Sequence, residues 1–362
     1  GDTHLNGRSP SRGTELCAVV EQMFSLECTL GYFSDTWAAD TLEMIAFNAL
    51  PAGTSPDFRG HQRLQQANQV LVTRTSRAWL DAGEDANLFG LTHGSGCCTA
   101  DLHQGWPKLA SSLWRATSNG GLAAFVYAPG LVETKLNGGT RVRIETVTDY
   151  PFAESLLFRI DPEKPSRFPL SFRVPAWCDD ALIAAPHGVE SDIPAGSWTI
   201  IDRLWSAGDT VELTLPMRIR HSFWHRSSLG VELGPLVMAL KIRERWSCDG
   251  GDTRHPDWSI HPMSPWNYAL AADPRDPARG FTVTRAPITG PLEFSQGMAP
   301  VTVTARARRV AGWELEEGSA GEPPPSPIGP AQLDGDEENV ELIPYAFARL
   351  RVSEFPWYEA SR

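Results

Sequence analysis

The stretch Gly94-Ser95-Gly96-Cys97-Cys98-Thr99 decides how this chain is read. Two adjacent cysteines follow a glycine-rich turn and open a helical pattern from Thr99 to Arg115, carried by Leu102, Trp106, Leu109, Leu113 and Trp114. Pro107 sits inside that pattern and predicts a kink or a break. Neighbouring cysteines rarely bond to each other, because disulfide geometry needs more Cα separation than adjacent residues easily give. Two thiols at one point suit a metal or chemistry instead. Upstream, Glu15-Leu16-Cys17 places a carboxylate and a thiol two residues apart. Glu15, Cys17, Cys97 and Cys98 together supply four ligands of the type a tetrahedral zinc takes.

Outward from this stretch the pattern is helical before and β-rich after. Leu16, Val19, Val20, Met23, Phe24, Leu26 and Leu30 follow helical spacing, with Thr14 as N-cap and Gly31 as stop. Asp35 caps a second helix whose stripe is Trp37, Leu42, Ile45, Ala46 and Leu50, ended by Pro51, and the two make an αα-hairpin. Residues 52–96 are loop-rich, with a short strand at Val70–Thr73, and a loop this long is usually functional. After Asn119-Gly120-Gly121 the period changes. Leu122–Ala128, Arg141–Thr148, Ser155–Ile160, Leu170–Val174, Trp198–Ile201 and Thr210–Leu215 read as the strands of an antiparallel β-sandwich. An apolar run covers Leu229–Ile242. Residues 247–280 read as a linker or long insertion. Further strands fall at Phe281–Thr284, Val301–Ala307 and Ala346–Val352, with a mobile loop at Gly318–Pro330.

Composition narrows the partners. The chain has 362 residues, too many for one ordinary core. A net charge of -12 without a basic cluster argues against nucleic acid. No apolar run approaches the ~18 residues of a membrane span. No signal peptide is visible, and the start at Gly1-Asp2-Thr3-His4, without Met, suggests a processed or truncated product. Six cysteines are too few for a disulfide scaffold, and their clustering suits reduced thiols, which favours the cytoplasm. Cys28, Cys178 and Cys248 are isolated and read as buried or free thiols. The thirteen tryptophans read first as core, then as sugar-stacking surfaces.

The four-ligand set leaves two chemistries open. Four protein ligands close a zinc shell, which is the structural reading. Alternatively a zinc-held thiolate is itself the nucleophile of a double displacement, with a sugar anomeric carbon as one electrophile. His61, His93 and His103 fall in the helical part, and His93, four residues before Cys97, is placed to line the same pocket. Gln62, Gln65, Gln66, Asn68 and Gln69 form an amide cluster that suits sugar hydroxyls and equally suits a polar loop. From these groups His93, Gln66 and Asn68 are the candidate substrate-pocket residues.

The chain resembles glycoside hydrolase family 127, known from β-L-arabinofuranosidases. The resemblance is carried by Gly13-Thr14-Glu15-Leu16-Cys17-Ala18, by Leu42-Glu43 through Asn48-Ala49-Leu50-Pro51-Ala52, and by Gly96-Cys97-Cys98-Thr99. Further carriers are Phe172-Arg173-Val174-Pro175-Ala176-Trp177, Gly234-Pro235-Leu236-Val237, and Leu342-Ile343-Pro344-Tyr345 with Leu350-Arg351-Val352. It implies an α+β multidomain chain: part of an (α/α)6 barrel over 1–118, a β-sandwich over 119–245, and a second, smaller β-sandwich with long loops over 246–362. It implies zinc on Glu15, Cys17, Cys97 and Cys98, with Cys97 as nucleophile and Cys98 as ligand only. The implied reaction is retaining hydrolysis of a terminal β-L-arabinofuranoside within a carbohydrate. Two departures stand out. The family's early barrel helices have no counterpart here, and Thr3 stands where the family has its acid/base Glu. Thr cannot act as a general acid at neutral pH. The chain is read as a glycosidase of this kind; the alternative is a non-catalytic fragment or pseudoenzyme with structural zinc that binds carbohydrate or a partner.

Overall fold

The computed structural model describes residues 7–33, 35–79, 82–91, 96–186 and 188–360. It is mostly sheet. Among the described residues the α-helical segments are α1 (Leu16–Thr29), α2 (Thr36–Met44), α3 (Leu50–Ala52) and α4 (Gly96–Ser112), and they form no closed helical barrel. The chain divides into two compact units. One comprises residues 1–22, 46–105 and 219–362; the other comprises 23–45 and 106–218.

The helices follow the sequence pattern with instructive exceptions. Leu16, Val19, Val20, Met23 and Leu26 of α1 are buried, as their spacing requires. Thr14 is not a cap but half of a two-residue strand, Thr14–Glu15, paired with Leu64–Gln65. The second helix does not run evenly to Pro51: it passes through a π-turn, Ile45–Ala49, before α3. Trp37, expected on the buried stripe, is 55% exposed, whereas Glu43 is fully buried. A hydropathy pattern cannot anticipate a buried carboxylate that brings its own cation. α4 continues through Pro107 without a break. Proline removes one donor, and the bonds on either side hold the turn.

In the second unit two sheets face each other. One has six strands in the order Gly188–Ile193, Ala181–Ala185, Asp209–Thr214, Ser155–Pro162, Arg141–Val147, Gly130–Lys135. The other has four: Ser197–Trp205, Ser166–Val174, Leu122–Ala124, Trp114–Ala116. Alternation along Ser155–Pro162 sends Leu156, Phe158 and Ile160 inward. Phe158 of the first sheet meets Phe172 of the second with ring centroids 4.9 Å apart, which is the sandwich core. Gly121 is required where the chain enters the strand Leu122–Ala124, since a Cβ there would lie 2.1 Å from the Pro169 carbonyl oxygen.

A buried ion cluster ties α2 to this sandwich. Arg173 pairs with both Asp40 and Glu43, and its Nε donates to the Phe125 carbonyl at 2.6 Å. Glu43 also accepts from the Tyr127 amide at 2.9 Å and the Tyr150 hydroxyl at 2.6 Å. The cation therefore has two anions, and the fully buried anion has every oxygen bonded, which is what makes burial tolerable.

The first unit is built on one eight-stranded sheet. Its path runs Ile219–Phe223, Leu229–Leu233, Leu236–Leu240, Leu333–Pro344, Val301–Val310, Tyr268–Ala272, Trp357–Glu359, with Phe281–Arg285 pairing Val301–Val310 from the side. The 247–280 region is not a linker. It contains most of the hairpin Glu244–Gly251/Pro256–Pro262 and all of the strand Tyr268–Ala272. The expected strand at Ala346–Val352 is a 3-10 turn, Tyr345–Phe347, followed by irregular chain. The segment is buried throughout and so shows no alternation to fix a strand. Val70–Thr73 makes only an isolated bridge, Val72 to Ile260. The loop 318–330 is anchored: Gly321 receives the Trp313 indole N–H at 2.7 Å.

Candidate metal centre

Glu15, Cys17, Cys97 and Cys98 come together. Their ligand atoms all lie within 4.8 Å of one another. Three local structures place them. The ladder pairs Glu15 with Leu64, and the Leu16 amide donates to the Arg63 carbonyl at 3.0 Å. Cys17 then lies in the first turn of α1. Cys97 and Cys98 lie in the first turn of α4. Two helix N-termini thus converge on the sulfurs, and their exposed N–H groups favour negative charge there.

Cys17 Sγ lies 3.2 Å from Cys98 Sγ, and Cys97 Sγ lies 4.0 Å from Cys98 Sγ. Thiolates on one tetrahedral cation with metal–sulfur bonds of about 2.3 Å sit roughly 3.8 Å apart, so this spacing fits a shared ion. Burial pushes the Cys17 thiol far up, and the Asp101 carboxylate that accepts its hydrogen bond adds to this. Burial pushes Cys98 up as well. Thiols so placed ionise only against a strong local cation, as a divalent metal provides. The cluster could hold such an ion. The two neighbours differ in access: Cys98 is fully buried and Cys97 is exposed. Among the described residues no cysteine is in a disulfide.

Surrounding groups hold the donors. Arg63 Nε lies 3.6 Å from Glu15 Oε1 and balances its charge. The His61 ring, almost wholly buried, places Nε2 2.7 Å from the Thr99 hydroxyl, which donates to the Leu91 carbonyl at 2.7 Å. These contacts lock the first turn of α4. His103 contacts the Thr99 carbonyl through Nδ1 at 2.6 Å, on the exposed side of α4. Asp101 and Arg63 were not anticipated from sequence. Asp101 was legible in principle, since it stands four residues after Cys97 and shares its helix face. Arg63 was not, because only the ladder brings it beside Glu15.

Gln66 and Asn68 lie elsewhere in the same unit, fully buried. Asn68 donates to the Glu354 carbonyl at 2.9 Å and accepts from the Ser353 and Glu354 amides, both at 3.0 Å. The Gln66 amide donates to the Ser11 carbonyl at 2.5 Å and to the Ser319 hydroxyl at 2.9 Å. Both side-chain NH2 groups are engaged with the protein's own groups. Arg351 joins the network through the Gln66 carbonyl at 3.0 Å and Gln65 Oε1 at 3.1 Å. His93, Thr3, Asp2 and His4 lie outside the described residues.

Residues 121–217 match the family model described as "Beta-L-arabinofuranosidase, GH127 middle domain". The resemblance to glycoside hydrolase family 127 holds. Solved structures agree at the level of fold. A glycoside hydrolase superposes with a TM-score of 0.69 at 19% identity, over 97% of this chain and 53% of its own. The GH127 β-L-arabinofuranosidase of Geobacillus stearothermophilus T6 does so with a TM-score of 0.65 at 19% identity, over 96% of this chain and 49% of its own. A further GH127 β-arabinofuranosidase gives a TM-score of 0.65 at 18% identity, over 98% and 50%. The chain spans about half the length of these solved structures. No curated protein matches the sequence.

Proposed function

We propose that the chain is the site-bearing part of a retaining glycosidase acting on terminal β-L-arabinofuranosides, with zinc held by Glu15, Cys17, Cys97 and Cys98. On this reading α1 to α4 belong to an (α/α)6 barrel. The observation that carries it is the asymmetry of the centre: four donors converge on one point, and only Cys97 combines membership of that set with an exposed thiol. Three sulfurs and one carboxylate form a donor set that suits zinc. When bound, the ion supplies the charge that keeps the sulfurs as thiolates.

The chain's own residues then do the following. Cys98 and Cys17 stay buried as ligands. Cys97 Sγ attacks the anomeric carbon and forms a thioether as the leaving oxygen departs with a proton. Water then displaces the sulfur from the opposite face, the one the leaving oxygen vacated, so two inversions leave net retention. Arg63 fixes the Glu15 carboxylate. The proton donor is the open requirement. Thr3 occupies the position of the family's Glu, and the loss of an acid/base lowers the rate by about 10²–10⁴.

The test is hydrolysis of 4-nitrophenyl β-L-arabinofuranoside by zinc-loaded chain, with the anomer released followed by proton NMR. Slow release of the retained anomer, abolished in Cys97→Ser although zinc stays bound, is expected. Equal rates for Cys97→Ser and parent overturn the nucleophile assignment. A second reading is favoured by ligand count, since four protein ligands close a tetrahedral shell. Stoichiometric zinc without any turnover selects that structural role.

A further inference from the structure

The geometry points to a second ligand site, a pocket in the same unit that takes a neutral, hydroxyl-rich saccharide. Its volume is about 550 Å³, and its walls include Arg12, Trp79, Glu316, Glu317, Ser319 and Glu322. Small-molecule sites fall in the range of roughly 300–1,000 Å³, so the space accommodates a short saccharide. It does not depend on the reading of the metal centre, and none of its lining residues is a metal ligand.

The walls are built rather than incidental. Glu317 and Gly318 form the two-residue turn between Leu315–Glu316 and Ser319–Ala320, with φ of 46° and 73°. Glutamate in the left-handed region is strained, whereas glycine is not. Glu322 is held by His225 Nε2 at 2.5 Å and Arg226 Nε at 3.5 Å. Arg226 and Ser227 are themselves left-handed, with φ of 53° and 59°. Of the four non-glycine residues with positive φ among those described, only Phe58 lies outside the segments that present or hold these carboxylates. Strain of this kind persists where surrounding structure fixes a group for use. Behind the wall, the buried Gln66 amide bonds the Ser11 carbonyl and the Ser319 hydroxyl, while its Oε1 has no partner. Arg12 is fixed at the rim by its bond to the Ala78 carbonyl at 2.5 Å.

The lining selects the ligand by chemistry. Carboxylates accept hydrogen bonds from vicinal hydroxyls, a guanidinium donates to hydroxyl or ring oxygens, and Trp79 offers an apolar contact. A saccharide presents all three complements. Three carboxylates repel a polyanion, and Arg12 in the same pocket disfavours a bare divalent cation.

The experiment is saturation-transfer NMR and titration calorimetry of the full chain with L-arabinose, D-xylose, D-galactose and their neutral disaccharides, with calcium chloride in parallel. At least one saccharide is expected to bind. Glu317→Ala and Arg12→Ala each weaken that binding by about tenfold or more, with the parent's circular dichroism and melting temperature retained. Cys97→Ser, which ends the proposed chemistry, leaves the affinity within about twofold. If Arg12→Ala unfolds, Glu317→Ala on its exposed turn decides alone. Failure of every saccharide to bind at millimolar concentration, parent-like binding in Glu317→Ala, or binding of calcium alone overturns the proposal.

Discussion

Cys97 and Cys98 are neighbours in sequence and opposites in environment, and this contrast shows which residue-level facts a sequence carries. The donor types of the centre were legible, because a thiol pair and a Glu-x-Cys segment stand out in a chain with only six cysteines. Their division of labour was not, because exposure is a property of the folded turn. The same applies to Arg173. Arg173→Met leaves Glu43 without its cation in a fully buried position, and we expect a loss of about 3–5 kcal/mol in urea unfolding. Arg173→Met combined with Glu43→Gln recovers part of that loss, because the two charges are coupled. His221 makes a pH prediction. Both its ring nitrogens are buried without partners, its ring meets Phe281 edge-on at 5.3 Å, and burial pushes it down to about 4 against the pull of Asp273. The unfolded chain takes up this proton near the ordinary value of about 6.5, the folded chain only near 4. Stability from this group is therefore complete above about 6.5 and falls as pH drops toward 4. His221→Phe flattens the profile, by on the order of 1 kcal/mol between pH 7 and 5 after solvent screening. Urea unfolding at the two pH values checks this.

At the scale of elements, strands with clean alternation were readable and continuously buried segments were not. Ser155–Pro162 alternates and reads as the strand it is; Ala346–Val352 is buried without a break and reads as a strand although it is a 3-10 turn and irregular chain. Motif segments far from the centre turn out to be clips between elements. Asn48, on the π-turn, donates to the Pro235 carbonyl at 2.9 Å and accepts from the Val237 amide at 2.9 Å. It thereby clamps the hairpin turn at Gly234-Pro235. Asn48→Ala orphans two backbone groups, and we expect a loss of about 2–4 kcal/mol, measured by chemical denaturation, with the fold retained. The glutamine-rich stretch does comparable work. Asn68 and Gln69 satisfy backbone groups of residues 349–354, and Gln62, Gln65 and Gln66 donate to the carbonyls of Asn87, Ala49 and Ser11, which is why amides crowd this loop.

For the whole molecule, the division into two units separates what the metal centre supports from what it does not. All four donors belong to the unit containing the eight-stranded sheet, while the sandwich has its own aromatic core and ion cluster. Chelation should therefore act locally. In hydrogen exchange of the zinc-loaded chain, treatment with a strong chelator is expected to raise exchange at residues 14–17, 61–65 and 96–101 and to leave 141–174 unchanged. Uniform deprotection of both regions would show that the ion supports the entire chain.

The two-residue ladder of Thr14–Glu15 with Leu64–Gln65 has an evolutionary consequence. Side chains alternate along a strand, so displacing this pairing by one residue turns Glu15 away from the sulfurs. The interval between Cys17 and Arg63 holds helices and a long loop, and it can absorb insertions without disturbing the pairing. The interval from Thr14 to Cys17 can absorb none. Descendants of this sequence should accordingly vary in length between residues 30 and 60 and keep a fixed count from the ladder to the first thiol.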